Sequence, residues 1–315
     1  SFCVAAMTRR SWWMFREPDS LPSNCPCALT LASVPARQAA HGATHLMKAL
    51  QNRIWRGARK VRRDLRHRVL GVPWMDVKPD DRFLFSYPRS GNTWLRHILQ
   101  HLTFESVPTE YEELEDLLPT IDTLEFQSRM AKMPDGPRFF KSHLPYSPYF
   151  LDGKVIYIVR DGRDVMLSYF DYQRKLHGYK GNLESFSKKF MNGWLRYGTW
   201  KSNVSTWVAH TNHPNMLLVR FEDLRSDPFS TMRGIAEFSG LTCDETQLRS
   251  AIEASSVDKI HATMRSWIFA QGTEFKGGVS ADGETNWRGV LSKEQNGLFV
   301  DQARELLEAL SYPLE

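Results

Sequence analysis

Residues 83–96 read FLFSYPRSGNTWLR, and the side chains gathered there suit the binding of an anion. A short apolar run stops at Pro88, turns through Ser90 and Gly91, and enters a helix. A loop joining a parallel strand to a helix presents free backbone N–H groups and the positive end of the helix dipole. Gly91 lets the backbone approach a bulky ligand. Arg89 adds a permanent charge that can grip two oxygens, and Asn92 and Thr93 offer side-chain hydrogen bonds. The plainer alternative is a capped helix that happens to follow an arginine. The loop is not the nucleotide triphosphate motif G-x-x-x-x-G-K-[ST]: Gly91 stands alone, with no Lys following a glycine.

The elements that must hold this turn come from the patterning around it. The runs 82–88, 138–144, 154–161 and 215–224 are rich in β-branched and aromatic residues with little strict alternation. That suits buried parallel strands covered on both faces. Helical patterns follow at about 92–102, 163–177, 184–209, 228–239, 244–253 and 292–310. The expectation is one α/β domain with a central parallel sheet flanked by helices and a P-loop-like turn after the first strand. It spans residues 79–315. Residues 1–42 read as a poorly ordered, non-secretory leader, and 43–78 as a basic amphipathic helix with a linker. In 43–70 Leu46, Leu50, Ile54, Ala58, Val61, Leu65 and Val69 form one apolar stripe among Arg and Lys. Such a helix fits either docking on the body or contact with an anionic membrane.

Bulk properties narrow the classes. Of 315 residues, 42% are hydrophobic and 24% charged, an ordinary globular balance. The net charge of +5 divides into +10 over residues 1–70 (thirteen Lys/Arg, three Asp/Glu) and −5 over the remainder. The basic average therefore says little about the body, and a nucleic-acid partner is not expected. Four cysteines, three of them before residue 28, make no disulfide framework and favour a reducing, cytoplasmic setting. No apolar run is long enough to span a membrane, and no metal cluster is evident.

YPRSGNTW (87–94) resembles the phosphosulfate-binding loop of the PAPS-dependent sulfotransferases, usually Y-P-K-S-G-T-T-W, with Arg89 and Asn92 as departures. The resemblance continues in order: FFKSHLP (139–145), VIYIVRDGRDVMLSYF (155–170), RYGTW (196–200) and LLVRFEDLRSDP (217–228) are similar to that family's segments. It covers roughly residues 80–290. It implies transfer of a sulfuryl group from 3′-phosphoadenosine 5′-phosphosulfate (PAPS) to a hydroxyl or amine of a small-molecule or lipid acceptor. PAP is the product and no metal is needed.

The resemblance also distributes roles. His143, at the carboxyl end of a strand, is the candidate general base, and an ordinary imidazole suits proton removal at neutral pH. Lys141, two residues away on the same face, joins Arg89 in stabilising the transferring group. Arg89, Ser90, Gly91, Asn92 and Thr93 bind the phosphosulfate. Arg160 and Ser168 bind the 3′-phosphate, with Arg163 either reaching it or pairing with Asp161 or Asp164. Trp94 and Tyr197 contact the adenine, as does Ser255. FKGGVSADGETNWRG (275–289) departs from the family's R-K-G-x-x-G-D-W-K by a missing Arg and extra residues. Lys276, Gly277 and Gly278 are placed there near the 3′-phosphate. The family's dimer motif is not preserved in 289–297, so the oligomeric state is open. Acceptor loops are expected at 104–137, 144–152, 171–183 and 262–275. Tyr146, Tyr149, Phe150, Tyr169, Phe170 and Tyr172 are the aromatic supply for the pocket, and the acidic run 110–116 is read as a solvated face rather than as a device that repels anionic acceptors. Two other classes stand beside this one: a nucleotide-dependent kinase, and a non-catalytic polyanion- or membrane-binding protein.

Overall fold

The computed structural model describes residues 75–104, 110–256, 259–260 and 286–315. The expected leader, the basic helix and Lys276, Gly277 and Gly278 lie outside these residues. Four strands form one sheet: β1 (Arg82–Ser86), β2 (Phe139–Ser142), β3 (Lys154–Val159) and β4 (Met216–Arg220). Their spatial order is β2-β1-β3-β4, and every neighbouring pair is parallel. Each strand falls inside a run whose composition predicts one. The two faces separate by alternation. Phe83, Phe85, Val155, Tyr157 and Val159 enter one apolar cluster, and Leu84, Ile156 and Ile158 the other.

Ten α-helices are described: α1 (Asn92–Phe104), α2 (Tyr111–Leu117), α3 (Phe126–Met130), α4 (Gly162–Leu176), α5 (Leu183–Met191), α6 (Trp200–Val208), α7 (Phe221–Ser226), α8 (Pro228–Ser239), α9 (Glu245–Ala254) and α10 (Lys293–Ala309). Leu95 and Ile98 of α1, Met232 and Ile235 of α8 and Leu248 of α9 cover one face. Val165, Phe186, Trp200, Trp207 and Phe299 from α4, α5, α6 and α10 cover the other. Both faces are thus dry, which explains why every residue of β1 is buried.

Two expectations need correction. The single helix expected over 184–209 is two helices, α5 and α6. Gly193 (φ 73°) and Gly198 (φ 77°) adopt left-handed backbone between them, and Thr199 accepts from Ser202 N to start α6 afresh. The acidic run at 110–116 is not simply a solvated face. Its residues form α2, and Glu115 points inward to Arg96 of α1 at 2.8 Å.

Glu115 also accepts from the Tyr111 hydroxyl (2.9 Å), Thr120 N (3.0 Å) and Thr120 Oγ1 (2.9 Å). Burial alone would raise its carboxyl pKa. The charges of Arg96 and Lys141 and these hydrogen bonds outweigh burial and hold it at about 2, below the ordinary 4.5. A depressed folded value means the stabilisation is complete above the ordinary value and is lost as pH falls toward 2. Glu115→Gln leaves Arg96 charged and buried, so it should cost about 3–5 kcal/mol at neutral pH. Urea midpoints of the two proteins should converge as pH drops below about 4.

Candidate active site

The carboxyl ends of β1, β2 and β3 deliver the loop 87–91, His143 and Arg160 to one edge of the sheet, where doubly wound folds collect ligands. The loop is tightly wound. Arg89 (φ 70°) and Gly91 (φ 94°) both have left-handed backbone, and positive φ at alternate residues favours convergence of successive N–H groups. For arginine that conformation costs about 1–2 kcal/mol, which the surroundings must hold in place. A Cβ on Gly91 would lie 2.4 Å from the Phe221 ring. Gly91→Ala is therefore expected to lower the unfolding free energy by about 1–3 kcal/mol, measurable by chemical denaturation.

Three of the expected anion-binding groups come together. The Arg89 guanidinium donates from Nε to Ser168 Oγ (3.1 Å) and lies 5.0 Å over the Tyr172 ring. Arg160 donates from Nη1 to the Arg89 carbonyl (3.3 Å) and lies 4.5 Å over the Phe221 ring. Burial lowers the pKa of both guanidinium groups, and Arg160 adds to the effect at Arg89. Two like charges held this close, Arg160 buried and Arg89 half-buried, favour a bound anion. Among the described residues, Ser90 Oγ and Trp94 Nε1 are buried without a hydrogen-bond partner. Buried polar atoms seldom stay unpaired, so both fit a ligand's oxygen or nitrogen.

Asn92 differs from expectation. Its amide NH2 donates to Leu84 O and Ser86 Oγ, both at 3.2 Å. The side chain braces β1 against α1, and its backbone N–H at the helix start is what remains for a ligand. Arg163 resolves toward its structural alternative. It pairs with Asp161 at 2.7 Å, is fully buried, and lies 3.7 Å from the Trp287 ring. Ser255 is buried at the end of α9 and hydrogen bonded to its own helix; no described hydrogen bond joins it to the loop. Phe221 is the residue that sequence reasoning passed over. It touches Arg160, Gly91 and Trp94 (6.2 Å, edge-on), and its signal was an aromatic at the junction of β4 and α7.

The second half of the site surrounds His143. Its Nδ1 lies 2.8 Å from the Ser86 carbonyl. A carbonyl can only accept, so Nδ1 carries the proton and Nε2 keeps its lone pair. The ring is not the ordinary imidazole expected. Burial, and then the Lys141 charge, push it down to about 3 against the opposing pull of Asp122. Lys141 is itself lowered by burial, with Asp122 and Glu115 resisting.

Tyr197 falls here too. Its hydroxyl donates to Asp122 Oδ2 (2.5 Å) and its ring lies 5.4 Å from that of His143. Its described contacts are thus at the base, with its hydroxyl already engaged, rather than at an adenine site beside Trp94. The aromatic supply for an acceptor pocket is also smaller than expected. Phe150 and Tyr169 are core residues, the Tyr149 hydroxyl donates to the Met75 carbonyl, and Tyr146 stacks on His210.

The family model for the sulfotransferase domain matches residues 79–310. The chain belongs to the sulfotransferase domain family. Sulfotransferase 4A1 of Mus musculus is 33% identical over 186 residues, 56% of this chain and 66% of that protein. The match thus spans just under two thirds of that relative. Sulfotransferase 1A1 of Bos taurus is 30% identical over 246 residues, 70% of this chain and 81% of that protein. A solved retinol dehydratase, crystallised with androsterone and the inactive cofactor PAP, superposes with a TM-score of 0.61 at 22% identity. It covers 74% of this chain and 82% of its own. At that identity the likeness shows the fold alone. The sulfotransferase fold thus accounts for the parallel four-stranded sheet flanked by helices.

Proposed function

We propose that this sulfotransferase domain transfers a sulfuryl group from PAPS to a hydroxyl or amine of a small-molecule or lipid acceptor. The observation that carries the reading is the convergence of half-buried Arg89 and buried Arg160 beside Ser90 Oγ, unpartnered among the described residues, with His143 at the neighbouring strand end. The residues fit the group. Ser90, Gly91, Asn92 and Thr93 would offer the phosphosulfate hydroxyls and helix-start N–H groups, and Arg160 with Ser168 would hold the 3′-phosphate. Trp94 and Ser255 would face the adenine; Lys276, Gly277 and Gly278, which lie outside the described residues, are further candidates for the 3′-phosphate from the family resemblance alone. Bound PAPS supplies the sulfuryl group and leaves as PAP.

The chain's own residues do the remainder. His143 Nε2 receives the acceptor's proton, because Nδ1–H is fixed on Ser86. Lys141 and Arg89 offset negative charge on the transferring and leaving oxygens. Such group transfer needs positioning and charge more than covalent participation.

An amine sulfotransferase of Oryctolagus cuniculus at 28% identity supports amine among the acceptor classes. No helix among the described residues is long and apolar enough to cross a membrane. The cytoplasm is the compartment we propose, where PAPS and reduced thiols coexist. Incubation with sulfur-labelled PAPS and a panel of phenols, alkanols and amines tests the reaction. Labelled organic sulfate is expected. Phosphate transfer from ATP, with no sulfate product, would overturn the reading.

A further inference from the structure

Asp122 has no part in the mechanism above, yet it is hydrogen bonded to Tyr197, whose ring lies 5.4 Å from that of His143. Residues 119–122 run beside β2: Lys141 N donates to Pro119 O (3.0 Å) and Ile121 N to Lys141 O (2.9 Å). This extra ribbon carries Asp122 up to the end of β2, where His143 follows. The carboxylate is buried. Oδ2 accepts from Tyr197, the Ser142 side chain also hydrogen-bonds the carboxylate, and Arg196 Nη2 donates to the Asp122 carbonyl (2.9 Å).

We propose that Asp122 is the counter-charge of His143: held in place by Tyr197, it stabilises the imidazolium formed when His143 takes the acceptor's proton. The inference rests on the sulfuryl-transfer reading. In that step the acceptor O–H bond breaks and the Nε2–H bond forms. The acceptor oxygen bonds to sulfur as the bridging phosphate oxygen keeps the electrons of the broken S–O bond.

The surroundings show why a counter-charge is needed. The groups acting on the ring are Lys141, Arg96, Asp122, Tyr197 and the Ser86 carbonyl. Lys141 and Arg96 are cations and oppose a second positive charge. Glu115 is taken up by Arg96. The Tyr197 hydroxyl is neutral, because burial and Asp122 keep its proton on. Asp122 is therefore the carboxylate among these groups that favours protonated His143. A purely structural role would not require a charge. An amide could accept from Tyr197 equally well, whereas a buried carboxylate is costly unless its charge is used; against burial, the charges of Lys141 and then His143 hold Asp122 ionised. The arrangement differs from a hydrogen-bonded Asp–His pair, since Nδ1 is already held by Ser86. Asp122 acts across space at a site where low polarity strengthens the attraction.

Asp122→Asn tests this, since it keeps the shape and an acceptor for Tyr197 but removes the charge. The full chain is assayed at one pH with phenol, which must lose a proton, and with 4-nitrophenol at a pH where it is already ionised. PAP affinity is measured alongside. The expected result is a fall in kcat of about 10- to 100-fold with phenol, almost no fall with ionised 4-nitrophenol, and unchanged PAP affinity. Equal losses with both acceptors, or no loss with either, would overturn the proposal while leaving sulfuryl transfer intact. A wild type that binds no PAP and sulfates neither phenol fails earlier, at the function itself. If Asp122→Asn does not fold, Tyr197→Phe, which releases the carboxylate, should show the same acceptor-dependent loss at smaller size.

Discussion

His143→Ala should lower kcat by about 10²- to 10⁴-fold and leave PAP affinity within about twofold, because a general base acts on the acceptor and not on the nucleotide. The geometry gives this expectation its direction. Nδ1 is committed to the Ser86 carbonyl, so the single free nitrogen is Nε2. Since the ring is held at about 3, it is neutral throughout the working range. Activity should therefore show no loss attributable to His143 protonation between pH 8 and about 5. An ordinary imidazole would already be half protonated near ~6.5. Steady-state rates from pH 5 to 8, with radiolabelled sulfate as the readout, check both the magnitude and the missing acid limb.

Arg160→Ala should weaken PAP binding by about 2–4 kcal/mol, or about 30- to 1,000-fold, as expected for removing a buried charge that meets a phosphate. Arg160 sits over Phe221 and against the Arg89 carbonyl, so its guanidinium is already oriented before any ligand arrives. The loss should nearly vanish for adenosine 5′-phosphosulfate, which lacks the 3′-phosphate. Equal weakening of both nucleotides would instead mean that Arg160 supports the loop through Arg89. Calorimetric titration of both ligands against both proteins separates the two.

The sheet and the loop after β1 were legible because local composition dictates them. Buried parallel strands read as continuous apolar runs, and a glycine beside polar residues at a strand–helix junction has few uses. His143, Lys141 and Arg160 lie at or near strand ends and Ser168 within α4, each in a string that resembles the family's, and it is that resemblance that singles them out. What escaped notice depends on pairing across the chain. Glu115 looked like one more acid on a charged surface until Arg96, nineteen residues earlier, drew it inward. Asp122 sits in a stretch with no strand pattern, and its place beside His143 comes from two backbone hydrogen bonds to β2. Asn92 has the right chemistry for an anion, yet its amide meets Leu84 and Ser86 first. The break between α5 and α6 was signalled by Gly193 and Gly198, but the apolar period runs on across it and hides the turn.

The central claim is that the loop 87–94 and Arg160 form a site for a 3′-phosphorylated adenine nucleotide. Calorimetry of the unmodified chain with PAP and with ATP, each in the presence of a chelator and then of Mg²⁺, tests it most directly. The account predicts tight, metal-independent binding of PAP and little binding of ATP under either condition. Binding of Mg²⁺–ATP with no heat from PAP would contradict it.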